Sequence, residues 1–242
     1  FGYEIDPVWE AGNKNIPGIY IEFKEPWLNP KGFEQIVYDV LANTQDMNII
    51  EKPEPEDTPF YINNGTINVG NTNGKVNLQT FSLESLVRVA EVFQGKVPMC
   101  FLLWKGTGAT DLTYDDPLGY ASFINLGVKY KAHFIGPCIA GAPNDYPELD
   151  QPWQDYLIHR AKMKNHPYTF DTYDQMAKYF GQYNFGVADG MFNPPYLDAL
   201  FTNHSDMSIN YMITHGWRKS PASQTLVDAR EVLRKLGYLD NN

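Results

Sequence analysis

Polar and apolar positions alternate strictly through Gly18-Ile19-Tyr20-Ile21-Glu22-Phe23-Lys24. This puts Ile19, Ile21 and Phe23 on one side of a strand and Tyr20, Glu22 and Lys24 on the other. An apolar side for helices to cover, opposite a side with an acid and an amine near the strand's C-terminal end, is how parallel α/β folds build active sites. An edge strand with its polar face in water is the plainer alternative. The alternation returns in Val76-Asn77-Leu78-Gln79-Thr80-Phe81, whereas residues 97–104 are apolar almost throughout, as suits a strand buried on both faces. Further strands are predicted at 132–140, 165–170 and 199–203.

Between these runs the apolar period lengthens to that of a helix. Pro26 and Pro30 end the first strand and open a helix over 31–44, with Phe33, Ile36, Val37, Val40 and Leu41 at helical spacing. Ser82 caps a second helix that stops at Gly95. Helices are also predicted over 117–128, 151–162, 172–180, 206–214 and 222–236. Residues 1–15, 52–74, 105–116 and 183–196 read as loops, the second with a small hairpin around Asn63-Asn64-Gly65. Six strand-then-helix units in succession imply a parallel sheet with right-handed crossovers. Curled shut, this is an α/β TIM (β/α)8 barrel with about six βα units present here and two expected before residue 1. Left open, it is a six-stranded doubly wound sheet. A single domain over 1–242 is expected.

The net charge of -10 and a pI near 4.9 argue against a nucleic-acid partner, which needs a basic surface, and disfavour an anionic membrane surface. No apolar run reaches the roughly eighteen residues of a membrane span. The start, Phe1-Gly2-Tyr3-Glu4, lacks the basic end and apolar core of a signal peptide, so a targeting segment is expected to be removed or to lie outside this sequence. Cys100 and Cys138 lie in apolar runs outside any CxxC pair, which predicts buried free thiols rather than a disulfide. Two sequons, at Asn64 and Asn203, carry little weight.

Four segments, in order, resemble the glycerophosphodiester phosphodiesterase family: Gly18 to Lys24 with Pro26 and Trp27, Val76 to Phe81, Phe134-Ile135-Gly136-Pro137, and His166-Pro167-Tyr168-Thr169. Leu200-Phe201-Thr202-Asn203 followed by Asp206 is similar to the family's final strand, with Asn203 where an Asp is usual. The resemblance implies a TIM barrel that hydrolyses glycerophosphodiesters to glycerol 3-phosphate and an alcohol, part of lipid metabolism, with secreted or periplasmic relatives. It also implies a His-Arg pair, a Pro-Glu-Asn stretch, a Glu-x-Asp pair and a second His before the first matching strand. Residues 1–17 contain none of these, so the family's acid-base histidines and two of its three metal carboxylates are expected from a segment unseen here, removed, or carried on another chain.

On that resemblance Glu22 is the third metal carboxylate, one of several oxygens a hard cation such as Ca²⁺ or Mg²⁺ requires. Lys24 would lie beside a phosphate oxygen of the small-molecule diester and offset charge in the transition state. An internal salt bridge between the two is the competing reading. Gln79 and Phe81 share a face at the mouth of the next strand and would meet the substrate's polar and apolar ends, with Tyr168 lining the same pocket, although isolated residues of these kinds more often pack. His166 precedes Pro167 and reads as a hydrogen-bonded structural histidine. His133, His159, His204 and His215 show no metal-ligand spacing. Trp104, Tyr114 and Phe192 are candidate rim residues. In the complete family site, one His deprotonates the nucleophile, the metal polarises phosphate oxygens and the other His protonates the leaving alcohol. A non-catalytic barrel that keeps the pocket without the histidines is the alternative function.

Overall fold

A computed structural model of the 242-residue chain describes residues 19–43, 61–63, 66–68, 76–104, 114–183 and 197–215. The expectations for residues 1–15, the helix at 222–236 and most of the loops at 105–116 and 183–196, with Phe192, lie outside them. The chain divides into two compact units, Phe1–Asn203 and His204–Asn242.

In the first unit, the predicted alternation of strand and helix is realised. Five strands pair in parallel in the order β1 (Ile19–Glu22), β4 (Val76–Thr80), β5 (Met99–Leu103), β6 (Phe134–Pro137) and β7 (Lys164–Asn165). The excursion after the first helix contains the small antiparallel hairpin β2 (Tyr61–Asn63) and β3 (Thr66–Asn68), in which Asn63 pairs with Thr66 across a two-residue connection. The connecting helices are α1 (Phe33–Asn43), α2 (Leu83–Phe93), α3 (Pro117–Lys129) and α4 (Pro152–Arg160).

Local chemistry sets these boundaries. The Ser82 hydroxyl accepts from Ser85 N and starts α2, and Gln94 ends it at φ 51. Asp116 caps α3 by accepting from Gly119 N at 2.9 Å, with Pro117 at the first helical position, where its missing N–H costs nothing. The apolar alternation of the strands and the stripes of α1 to α4 then meet in one core, which contains Phe23, Leu78, Leu86, Phe93, Phe101, Phe123, Ile135 and Ile158. The Phe101 and Phe123 rings stack at 4.3 Å in its middle. All five residues of β5 are buried, as the unbroken apolar run predicted. Cys100 and Cys138 are buried free thiols.

The face of the sheet away from these helices is also covered, because the sheet rolls. In a flat sheet the outer strands β1 and β7 would stand four spacings, roughly 19 Å, apart. Instead the Tyr20 hydroxyl lies 3.2 Å from His166 Nδ1 in a hydrogen bond, and the Tyr20 and Phe201 rings meet edge to face at 4.9 Å. Tyr20, Phe81, Cys100, Leu102, Phe134, Tyr168 and Phe201 form a second cluster on this concave side. Gly136 belongs there for steric reasons, since a Cβ on it would lie 2.6 Å from Leu102 Cδ2 and 2.9 Å from Cys100 Sγ.

Three expectations are corrected. The strand predicted at 199–203 is an extended segment beside the chain after β7, with Asp198 N donating to Asn165 O, Phe201 N to Pro167 O and Phe170 N to Phe201 O. Pro167 has no N–H to return a bond to this segment, which leaves the ladder incomplete. The predicted helix at 172–180 is a single α turn, α5 (Tyr173–Met176), that continues as a π-helix over Ala177–Gln182. Tyr114 is no rim residue, for it is buried against Phe123 at 5.8 Å in the main core.

Of the second unit, α6 (Ser205–Thr214) is described, and the Tyr211 ring stacks on His215 at 4.0 Å. No helix among the described residues is long and apolar enough to cross a membrane.

Candidate functional site

The concave face carries its chemistry in two layers. The floor holds Tyr20, Cys100, Phe134, His166 and Tyr168. Burial pushes the Tyr20 and Tyr168 phenols well above their ordinary value and the Cys100 thiol up to about 12. Burial also lowers His166 to about 4, where it stacks on Phe134 at 4.0 Å and keeps Nδ1 on the Tyr20 hydroxyl. Every titratable group of the floor is therefore neutral at pH 7, and the floor is an uncharged surface of low dielectric.

Charge enters at the mouth, where the strands end. Glu22 is the last residue of β1 and stands in register with Gln79 of β4. In a parallel pair, registered residues share a face, so their side chains lie next to one another. Glu22 Oε1 and Gln79 Oε1 are both buried without a hydrogen-bond donor. Two such acceptors in adjacent positions are costly unless something positive or hydrogen-bearing meets them. Lys24 Nζ stands 3.5 Å from Glu22 Oε1, the salt bridge of the competing reading, with 70% of its side chain exposed. Lys24 thus leans over the mouth and does not point into the interior, a departure from the predicted strand face. The reason is local: β1 stops at Glu22, and the chain turns away at Glu25, whose φ is 45.

Beyond Glu22, Phe23 N still donates to Gln79 O at 2.8 Å, and Thr80 Oγ1 donates to Phe23 O at 2.7 Å, which fixes the strand end against β4. Phe81 and Tyr168 meet edge to face at 5.6 Å, and the Tyr168 hydroxyl donates to Leu103 O at 2.9 Å. Tyr146 packs on the far side of this pair, 6.0 Å from Tyr168, and Trp104 follows directly after β5. The residues singled out from the sequence therefore gather at one end of one face: Glu22, Lys24 and Gln79 as a polar group, Phe81 and Tyr168 as an aromatic one.

A hard cation fits the polar group in kind, since the two orphaned oxygens are a carboxylate and an amide carbonyl, but they supply only part of its usual six to eight ligands. Among the described residues no three His, Cys, Asp or Glu side chains are grouped to hold a metal ion. Asn203, where the resembling family has an acid, donates through both its backbone N and its Nδ2 to the carboxylate of Asp171, at 2.9 Å each. An Asp at that position would face Asp171 with like charge.

One polar cluster escaped the sequence reading. On the helix side of the sheet, buried Asn165 donates through Nδ2 to Asp150 Oδ1 at 2.8 Å and to Asp155 Oδ1 at 2.7 Å. His159 joins Asp155 at 3.1 Å to Asp198 at 2.8 Å, and Lys164 and Asn165 N also reach Asp198. Burial would lower His159, but the bonds to Asp155 and Asp198 outweigh it and raise the imidazole to about 9. Burial would raise Asp198, yet His159, Lys164 and Asn165 N hold it near 2. Burial and the neighbouring Asp155 charge push Asp150 well up. Only the spacing of Asp155 and His159, one turn apart on α4, could have hinted at this network. It ties α4 to β7 and the segment at Asp198, at the start of β7 and away from the mouth.

No model of a known protein family matches the chain, and no curated protein matches it.

Proposed function

We propose that the described sheet is most of a (β/α)8 barrel like that of glycerophosphodiester phosphodiesterases, and that its mouth at Glu22 binds a glycerophosphodiester and hydrolyses it to glycerol 3-phosphate and an alcohol. What carries the reading is the pair of buried acceptor oxygens of Glu22 and Gln79 at the C-terminal end of two neighbouring strands, which make no hydrogen bond and of which Glu22 Oε1 has the Lys24 ammonium 3.5 Å away. The rolled sheet, with Tyr20 of β1 reaching His166 just after β7, supports a closed rather than an open architecture. With the extended segment at 199–203 as a sixth member beside the five strands, two further βα units would come from outside the described residues.

Within this reading Glu22 and Gln79 would hold a divalent cation, Ca²⁺ or Mg²⁺, which supplies polarisation of the phosphate oxygens when bound. Lys24 is close enough to share the Glu22 charge and exposed enough to swing onto a phosphate oxygen. Phe81 and Tyr168 shield the apolar side of the substrate from water. The uncharged floor strengthens each of these charge interactions by keeping the local dielectric low. Proton transfer belongs to groups beyond this set, because burial lowers His166 to about 4, which makes it a weak base, and its Nδ1 is engaged by Tyr20.

That engagement of His166 also favours a second reading, a binding module that retains the mouth without turnover. The two separate in one assay, hydrolysis of glycerophosphocholine with added Ca²⁺ or Mg²⁺. Cation-dependent release of glycerol 3-phosphate that is lost in Glu22→Ala supports the enzyme. Binding without release supports the module, and neither binding nor release by the folded chain overturns both.

A further inference from the structure

We propose that the end of the fold that carries Glu22 docks on a zwitterionic lipid surface. Large apolar side chains exposed singly are ordinary on any protein surface. Here their distribution is not ordinary. Of the nine such side chains among the described residues, six lie at one end: Trp27, Leu28, Trp104, Leu118, Tyr146 and Tyr173. Trp27 and Leu28 follow β1, Trp104 follows β5, Tyr146 follows β6, and Leu118 and Tyr173 open α3 and α5. In a parallel sheet all strands end on the same side, and the helices that return from it begin there. Separate connections in the sequence thus raise apolar groups around one rim, the rim of the candidate site.

The most prominent pair is held out by design of its turn. Trp27 is 71% exposed and Leu28 70%. Their backbone is braced: Leu28 N donates to Glu25 O at 2.8 Å, Asn29 Nδ2 to Lys24 O at 2.7 Å, and Arg88 Nη1 of α2 to Pro26 O at 3.2 Å. These bonds hold the backbone of the turn, and the Trp27 and Leu28 side chains stand exposed on it.

A lipid surface suits this arrangement better than a protein does. Trp27 and Leu28 together offer roughly 300 Å², well short of the about 800 Å² per partner of a stable protein interface. The remaining groups belong to separate connections after different strands, so a rigid partner would have to match several segments at once. A fluid interface accommodates separated points, and Trp and Tyr favour its headgroup level, where one end of the ring is apolar and the other wet. The chain's net charge of -10 sets it against anionic lipid, while exposed Lys24 on the same rim can meet the phosphates of a neutral headgroup layer. That such a surface delivers an amphipathic diester, such as a lysophospholipid, to Glu22 rests on the phosphodiesterase reading; the docking itself does not.

The test is flotation of the 242-residue chain with phosphatidylcholine vesicles, with and without phosphatidylglycerol. The comparison is with Trp27→Ala/Leu28→Ala and with Ile36→Ser/Val40→Ser, which removes exposed apolar groups of α1 outside the rim. Partition onto phosphatidylcholine that falls at least tenfold in the first variant and persists in the second is the expected result. No partition by the folded protein, equal partition of both variants, or binding to anionic vesicles alone would overturn the proposal. So would a lipid-independent dimer that Trp27→Ala/Leu28→Ala dissolves. Glycerophosphocholine hydrolysis without vesicle binding refutes docking and leaves the phosphodiesterase reading intact. Vesicle binding without hydrolysis of glycerophosphocholine or lysophosphatidylcholine does the reverse.

Discussion

His159 should make this protein lose stability in mildly alkaline solution, and the size of the loss follows from its contacts. Its two ring nitrogens reach Asp155 at 3.1 Å and Asp198 at 2.8 Å, and its pKa rises from 6.5 to about 9. A group bound more tightly to its proton when folded stabilises the fold fully below pH 6.5, and that contribution disappears as pH climbs through 9. At 1.36 kcal/mol per pKa unit the rise corresponds to roughly 3 kcal/mol. With 26% of the imidazole open to water, screening leaves about 2 kcal/mol. Urea unfolding at intervals from pH 6 to pH 10 measures this directly. The wild type should lose about 2 kcal/mol across that range, and His159→Gln, which has no proton to release there, should stay nearly level. Parallel losses in both proteins would refute the reasoning, because the decline would then come from groups other than this imidazole.

Three other expectations can be checked with the same material. Gly136→Ala should lower stability by about 2 kcal/mol, seen as a lower melting temperature, because its Cβ would press on Leu102 Cδ2, Cys100 Sγ and the carbonyl of His166. Asn165→Ala should cost on the order of 3 kcal/mol in urea unfolding, since it takes the shared donor from both buried carboxylates, Asp150 and Asp155. Ca²⁺ or Mg²⁺ at a hundredfold excess over its dissociation constant should stabilise the wild type by about 2.7 kcal/mol in a thermal-shift assay. Glu22→Gln should abolish that gain, because a neutral amide attracts the cation far less.

The parts of the fold that were legible in the sequence are those decided locally. Ser82 and Asp116 cap their helices through neighbours three residues away, and the apolar run of β5 declares a strand buried on both faces. Glu22 and Gln79 come to stand side by side because strand alternation and parallel register fix the face each takes. Lys24 lies two residues past the end of β1, so the alternation of the strand does not fix where its side chain points. The segment after Asp198 was read as a strand from its composition, yet its hydrogen bonds depend on how the chain after β7 runs beside it. The carboxylate network around Asn165 lay out of reach for the same reason. Asp198 meets His159 across 39 residues of sequence, and no local spacing encodes such a meeting.

The contact between Tyr20 and His166 also has a consequence in time. The two residues are separated by 146 positions, so a ribosome adding about 5–20 residues per second needs on the order of ten seconds between them. Throughout that delay the first strand's tyrosine lacks its bond across the concave face, and the nascent sheet cannot roll shut. Closure of the inner lining thus comes late in synthesis, after the segment that carries His166 has been added.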